Sequence, residues 1–177
     1  MARHPLQRLA SPSRTVSALI HLLGIASFSG SFRWLVLYPN PQAAQFGGSF
    51  QFLTIIGLAL ACASMVFGFL ADITLSRTFF DIKNVISVCS TPLEVLISTL
   101  YWGISLIDKS LLFPPENQLP LLPDVGFHLM PAVMLTIDLL LFSPPWTIKA
   151  YGAMGISTVL AFLYWGWVEY CFTHNQT

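Results

Sequence analysis

The sequence predicts an all-α, multi-pass transmembrane helix bundle with about five spanning helices. Only 9% of its residues are charged, whereas 55% are hydrophobic and the mean hydropathy is +0.70. A soluble domain carries about 25% charged residues, so this chain has too few charges to cover a water-facing surface. Several stretches also approach the ~20 apolar residues that cross the hydrocarbon core of a bilayer. Together these observations favour a single integral-membrane domain over residues 1–177.

The predicted spans follow one another along the chain and are separated by short polar or proline-rich links. Their approximate bounds are 15–38, 49–73, 84–107, 125–142 and 151–172. Proline and glycine in links such as YPNPQAAQFGG are typical of chain segments that end helices. The first apolar run continues to Tyr38 without a clear small-residue cleavage site. We therefore expect it to be a retained span rather than a removed signal peptide.

The distribution of lysine and arginine predicts the orientation of the bundle. Basic residues concentrate on one side, in the N-terminal tail and in the links after the second and fourth spans: Arg3, Arg8, Arg14, Arg77, Lys83 and Lys149. The links on the other side carry only Lys109. The positive-inside rule then predicts a cytoplasmic N-terminus. The membrane is expected to be an endomembrane, such as the endoplasmic reticulum, or the plasma membrane.

Other features argue against several classes of function. The formal net charge is zero and no glycine-rich phosphate loop or basic cluster occurs, so no nucleic-acid partner is predicted. Cys62, Cys89 and Cys171 lie far apart, without the spacing of a disulfide framework or a metal site. They are expected to be small apolar packing residues. We predict no cofactor and no metal.

Ionisable residues within the predicted spans are the first candidates for function. They are His21, Glu94, His128, Asp138 and Glu169. Such a group must face a partner or a wet cavity, which makes it a functional hypothesis by default. The alternative is a structural hydrogen bond between helices. For Glu94 and Asp138 we favour the structural role, with ordering of a cavity as the alternative.

Stripes on three spans predict faces that point into the bundle. Small residues recur on one side of the second span: Thr54, Gly57, Ala61, Ser64 and Gly68. Such a stripe lets another helix approach closely. Polar residues recur on one side of the third span: Ser87, Thr91, Glu94, Ser98 and Tyr101. In the fourth span His128, Pro131 and Asp138 share a side. These stripes predict packing faces and do not by themselves show chemistry.

Depth in the membrane singles out one pair of residues. The second and fourth spans enter from the same face, and Thr54 and His128 both lie within roughly 8 Å of it, at 1.5 Å per residue. A hydroxyl beside a histidine base is an arrangement for nucleophilic catalysis. Asp138 is about 15 Å deeper than His128, so it cannot orient that imidazole unless the helix breaks near Pro131. The alternative for Thr54 is a hydroxyl bonded to its own helix.

Three segments resemble the androgen-induced protein family. FGGSFQFLT at 46–54 resembles the segment that leads into the family's second helix, and GFHLMPAVMLTID at 126–138 resembles its histidine helix. There too an acidic residue follows the histidine ten positions on. YWGWVEY at 164–170 resembles the aromatic fifth span. The resemblance extends over most of the chain, from the first span to about residue 175.

This resemblance implies an integral-membrane hydrolase that cleaves fatty acid esters of hydroxy fatty acids. The motifs carry over a threonine nucleophile at Thr54 and a histidine base at His128. The implied partners are membrane lipids and a lipid ester substrate. An oxyanion hole is also required, and backbone N–H groups near Gly47 and Gly48 are candidates for it.

Two points leave alternatives open. Members of the family usually continue past the fifth span into one more hydrophobic helix, whereas this sequence ends at CFTHNQT. The alternatives are a shortened form and a gene model that ends early. The expected catalytic residues are present in either case, but the fold or the activity would be lost if the last helix closes the pocket. The competing hypothesis is a non-enzyme, either a small membrane scaffold or a transporter subunit with a carboxylate proton relay. A scaffold would tolerate Thr54→Ala and His128→Ala, whereas an enzyme would not.

Overall fold

The computed structural model describes residues 14–112, 118–143 and 149–176, and this part of the chain is helical with no strand. The basic tail with Arg3 and Arg8 lies outside the described residues. The described part of the chain contains six α-helices: α1 (Arg14–Leu37), α2 (Leu53–Thr74), α3 (Arg77–Asp108), α4 (Leu121–His128), α5 (Met130–Ile137) and α6 (Ala150–Asn175). Short 3₁₀ turns cover Pro41–Ala44, Gly48–Gln51 and Lys109–Leu111, and a π-helical turn, Asp138–Phe142, extends α5.

The helices are long and apolar enough to cross a membrane. Helices α1, α2, α3 and α6 each meet this condition alone, and α4 with α5 meets it as a bent pair. The chain is therefore an all-α bundle with four or five membrane-spanning segments. This confirms the predicted fold class.

The predicted fourth span is two helices rather than one. α4 and α5 meet at an angle of 43°, and the break is at Leu129, whose φ and ψ are −125° and −49°. Pro131 supplies the cause, because proline lacks an N–H and its ring clashes with the carbonyl four residues earlier. The helical segment also begins at Leu121, earlier than the predicted start near 125. Asp124 is therefore part of the helix that carries His128.

Helix α3 also begins earlier than predicted, at Arg77 rather than near 84. The link after α2 is only two residues, Leu75 and Ser76, and Leu75 caps α2 in the left-handed conformation with φ +58°. Arg77 and Asp81 form an exposed ion pair on the outside of the first turns. Lys83, which the sequence placed in a link, is instead buried inside the bundle at 1% exposure.

The apolar core lies between α1, α2, α4 and α5. Its buried members are Phe28, Ile55, Leu58, Ala61, Met65, Phe127, Met134 and Leu135. The outer surface is apolar as well, with side chains such as Val36 and Leu106 almost fully exposed. Lipid tails are as apolar as these side chains, so helix association in a membrane depends on close packing and polar contacts. The small residues of α2 fit that role, since Gly57 packs against Glu94 and Gly68 against His21.

Helix α6 contacts the 46–51 segment through its second half and also packs against α3. The indole N–H of Trp167 donates to the backbone carbonyl of Phe50 at 2.9 Å. The hydroxyl of Tyr164 donates to the backbone carbonyl of Gln51, also at 2.9 Å. The Phe46 ring stacks on His174 with the ring centres 4.6 Å apart. The aromatic end of α6 thus fixes the segment that leads into α2.

Candidate functional site

A cavity of about 120 Å³ lies where α1 ends and where α2 and α4 approach it. Its wall is mainly aromatic and aliphatic, with a few hydroxyl, amide and imidazole groups. The lining residues are Trp34, Leu35, Tyr38, Asn40, Ser49, Phe52, Thr54, Ile55, Leu119, Phe127 and His128. The two residues paired from the sequence, Thr54 and His128, therefore share one cavity.

Thr54 is the second residue of α2 and follows the 3₁₀ turn Gly48–Gln51. The N-cap, Phe52, is extended and gives the helix no side-chain cap. The first N–H groups of a helix have no acceptor within the helix, and they give its N-terminus a partial positive charge. Here the N–H groups of Ile55 and Ile56 donate to the Phe52 carbonyl at 3.0 and 3.3 Å, and Thr54 lies in the cavity wall at this helix N-terminus.

His128 is the last residue of α4 and its side chain is buried. Within the described residues its hydrogen bonds both fall on Nδ1, which lies 3.0 Å from Oδ1 of Asp124 and 3.2 Å from the Asp124 carbonyl oxygen. A carboxylate only accepts, so Nδ1 is assigned as the protonated nitrogen. Nε2 then carries the lone pair and can act as a base.

Asp124 holds this imidazole and is itself held by two other side chains. It is fully buried, and its Oδ1 also accepts a hydrogen bond of 2.5 Å from the Tyr101 hydroxyl. Lys109 Nζ lies 3.3 Å from Oδ2 and supplies the opposite charge. The ring of Tyr101 stacks on His128 with centres 3.5 Å apart and an angle of 5° between planes. We refer to Tyr101, Lys109, Asp124 and His128 as the histidine network.

This arrangement combines a hydroxyl, a base and an acid that orients the base. Such a set can activate an oxygen nucleophile for attack on an ester. The sequence analysis missed Asp124 because it placed that residue in the link before the fourth span. The signal was present as D-x-x-x-H, since residues four apart lie on one face of a helix.

Glu94 and Asp138 are not among the described residues that line the cavity. Glu94 is buried in the α2–α3 interface against Gly57. Asp138 lies in the turn that extends α5, where its Oδ2 is 2.6 Å from Lys83 Nζ and 3.1 Å from Ser143 Oγ. As the depth argument predicted, it does not contact His128. The helix break does not bring them together.

Asp138 belongs to a second network, at the end of the bundle where α1 begins. His21 Nε2 lies 3.0 Å from Asp138, and His21 Nδ1 lies 2.7 Å from Asp72 at the end of α2. Ser17 donates to Asp72 at 2.9 Å. This second network joins four helices. We refer to its members as the lysine network: Ser17, His21, Asp72, Lys83, Asp138 and Ser143. His21, to which the sequence gave no role, is its bridge.

The remaining candidates lie away from the cavity. Glu169 is exposed on α6. Gly48 donates its N–H to the carbonyl of Gln45 at 3.0 Å, so this group is already engaged. Gly47, with φ +90°, packs against Cys171. Over the described ranges no group of three or more His, Cys, Asp or Glu residues could hold a metal ion.

Comparison with known proteins gives two matches and one absence. The model of a family described as FAR-17a/AIG1-like protein matches residues 16–177. A UPF0641 membrane protein of Schizosaccharomyces pombe is 37% identical over 171 residues, which is 94% of this chain and 76% of that protein. No solved structure matches.

Proposed function

The chain belongs to the FAR-17a/AIG1-like family, as the sequence motifs predicted, and from this premise we propose that it is an integral-membrane lipid esterase. Thr54 is the proposed nucleophile and His128 the proposed base. The observation that carries the proposal is the cavity that Thr54 shares with an Asp124-bound histidine. The substrate class, fatty acid esters of hydroxy fatty acids, rests on the family resemblance.

The proposed reaction has two steps. His128 Nε2 takes the hydroxyl proton of Thr54 as the Thr54 oxygen attacks the ester carbonyl. The same proton then passes from His128 to the departing alkoxide. This releases the hydroxy fatty acid and leaves an acyl-threonine. His128 then takes a proton from water, whose oxygen attacks the acyl carbon. The fatty acid leaves and the proton returns to Thr54.

Two features of the cavity support this chemistry. The backbone N–H of Thr54, at the N-terminus of α2, replaces those near Gly47 and Gly48 as the proposed oxyanion donor, because the N–H groups of Ile55 and Ile56 already donate to the Phe52 carbonyl. Trp34, Phe52 and Phe127 give the wall an apolar surface suited to acyl chains. A cavity at the helix ends lies near the interface, within reach of an ester in the acyl region. We propose this face to be the non-cytoplasmic one.

A fluorescent fluorophosphonate probe tests the proposal directly on membranes that contain the full chain. Wild type is compared with Thr54→Ala and His128→Ala at matched amounts of folded protein. Thr99→Ala is the control, since the Thr99 hydroxyl is exposed and donates to its own helix at Val95. We expect labelling of wild type and of the control, and its loss in both site variants. Release of fatty acid from a lipid ester should follow the same pattern.

Other outcomes would contradict the proposal in distinct ways. Labelling that survives Thr54→Ala but is lost in Ser49→Ala would move the nucleophile to Ser49, a second hydroxyl in the cavity wall. Absence of both labelling and hydrolysis in folded wild type would favour a non-enzymatic scaffold or transporter subunit.

A further inference from the structure

Every buried residue of α3 carries a polar group. Lys83 stands at one end of this face and Tyr101 at the other, and between them lie Ser87, Ser90, Thr91, Glu94 and Ser98. We refer to this face as the α3 seam. Its 18 steps of 1.5 Å span about 27 Å, close to the ~30 Å thickness of the hydrocarbon core.

The ends of the α3 seam are members of the two ionic networks. Lys83 binds Asp138 in the lysine network, and Tyr101 donates to Asp124 in the histidine network. Polar side chains therefore connect the two ends of the bundle along one helix face. A purely structural role does not require polar residues along the whole face, because apolar residues in the middle of α3 could pack equally well between the two networks.

The middle of the seam contains polar atoms without partners. Among the described residues, Glu94 Oε1, Ser64 Oγ and Ser90 Oγ are buried and make no hydrogen bond. Glu94 is 1% exposed, and Ser64 and Ser90 are fully enclosed. A buried polar group that stays without a hydrogen bond destabilises the folded protein. Bound water is the usual partner of buried polar groups of this kind.

The unpaired atoms of Ser64, Ser90 and Glu94 all lie at the interface between α2 and α3. The two helices are antiparallel and meet where Gly57 packs against Glu94. Ser64 is seven residues further along α2, which puts it at the level of Ser87 and Ser90 on α3. The hydroxyls and the carboxyl thus face the same interface at successive depths.

No countercharge lies beside Glu94 in the described structure. None of the buried residues of α2 and α5 is charged. They are Ile55, Gly57, Leu58, Ala61, Ser64, Met65, Gly68 and Ala71 on α2, and Pro131, Ala132, Met134 and Leu135 on α5. The titratable groups at the two ends of the seam belong to the two networks: His21, Asp72, Lys83 and Asp138 at one end, and Tyr101, Lys109, Asp124 and His128 at the other. An isolated carboxylate is costly in this setting, so Glu94 is held as the neutral acid.

We propose that the α3 seam is a transmembrane proton path in which bound water joins the two networks and Glu94 carries the proton across the middle. The neutral carboxyl gives its proton to water on one side and takes a proton from protonated water on the other. Only O–H bonds break and form, and the net result is one proton moved down its gradient. This path goes beyond the proposed esterase, because it meets the histidine network at one end but uses neither Thr54 nor the cavity.

Proton flux into liposomes tests the proposal. The purified full chain is reconstituted with a pH-sensitive dye inside, and a potassium diffusion potential drives protons inward. We expect flux above that of protein-free liposomes, with loss to the protein-free level in Glu94→Gln. Glu169→Gln, which alters an exposed carboxyl on α6, should conduct like wild type.

A second variant and a second readout keep the test decisive. Ser64→Ala combined with Ser90→Ala removes the two unpaired hydroxyls and should also reduce the flux. Infrared spectra should show a protonated carboxyl band in wild type that Glu94→Gln removes. Wild type that conducts no better than protein-free liposomes would overturn the proposal, as would a Glu94→Gln variant with full flux. Labelling of Thr54 by the fluorophosphonate probe should persist in Glu94→Gln, which separates the two proposals.

Discussion

The carboxylate of Asp124 lies 3.0 Å from Nδ1 of His128, one helical turn earlier in α4. Both residues precede the break at Leu129, so a single rigid helix fixes their geometry. The nucleophile candidate, Thr54, comes instead from α2. The proposed base is therefore oriented within one helix, whereas the distance between it and the proposed nucleophile depends on how α2 and α4 pack around the cavity.

Asp124→Asn should remove the orienting charge while keeping the shape of the side chain. The amide can donate to Nδ1 and stabilise the wrong imidazole tautomer, so we expect ester hydrolysis to fall by about 10²- to 10⁴-fold. The measurement is steady-state hydrolysis of a fluorogenic lipid ester by the reconstituted protein. KM should change little, because Asp124 is buried behind His128 and does not line the cavity.

Asp108→Asn is the matched control for this change. Asp108 is an exposed carboxylate whose side chain accepts from the backbone N–H of Ser110, and asparagine keeps that acceptor. Equal rates for Asp124→Asn and Asp108→Asn would contradict the proposed role of Asp124.

Tyr101→Phe separates two contacts of the histidine network. Phenylalanine keeps the ring stacked on His128 but loses the hydrogen bond to Asp124. We expect the free energy of unfolding to fall by about 1–3 kcal/mol, as for a hydrogen bond to a charged group. The rate of hydrolysis should fall less than in Asp124→Asn. Thermal unfolding in detergent and the hydrolysis assay measure the two effects.

Tyr101→Ala provides the comparison, because it removes the stacked ring as well. Its stability and rate should both be lower than those of Tyr101→Phe. If the two variants behave alike, the stacking on His128 has no measurable role.

The sequence contains most of the fold and part of the site. The low content of charged residues and the long apolar runs predict the bundle, because a surface that faces water needs charged residues and a surface that faces lipid needs apolar ones. The stripes of α2 and α3 were readable because each depends on one helix, and the structure buries Gly57, Ser64 and Gly68 on one and Glu94 and Tyr101 on the other. Thr54 and His128 could be paired because both lie near the starts of spans that enter from one face.

Residues at the helix ends were harder to place. Lys83 and Asp124 were read as parts of links, since charged residues usually end a span. Each is buried only because a partner distant in the sequence meets it, Asp138 for Lys83 and Tyr101 for Asp124. Contacts between distant segments are not encoded in the periodicity of any one helix.

Gly68→Ala should destabilise the bundle by overpacking. An added Cβ would strike the imidazole of His21, which is fixed by Asp72 and Asp138 and cannot easily move away. We expect a loss of about 1–3 kcal/mol in the free energy of unfolding. Thermal unfolding in detergent gives the comparison with wild type.

Gly103→Ala tests whether this loss is specific. A Cβ on Gly103 meets no atom within 4 Å, and alanine favours a helix over glycine by about 0.5–1 kcal/mol. This variant should be as stable as wild type or more stable. Equal destabilisation of both variants would mean that the close approach of α1 and α2 is not what Gly68 provides.

Lys83→Met should be among the most damaging single changes outside the cavity. It leaves the fully buried Asp138 without its lysine, 2.6 Å away in the native structure, and breaking a buried ion pair costs about 3–5 kcal/mol. Lys83→Met combined with Asp138→Leu removes both charges and should recover part of that loss. Arg77→Met, which breaks an exposed ion pair with 85% and 63% of the two side chains accessible, should have almost no effect. Thermal unfolding of wild type and the three variants measures these effects. Equal stability of Lys83→Met and Arg77→Met would show that the lysine network does not hold the helices together.

The lysine network lies at the opposite end of the bundle from the cavity. Fluorophosphonate labelling of the remaining folded Lys83→Met protein should therefore match that of wild type.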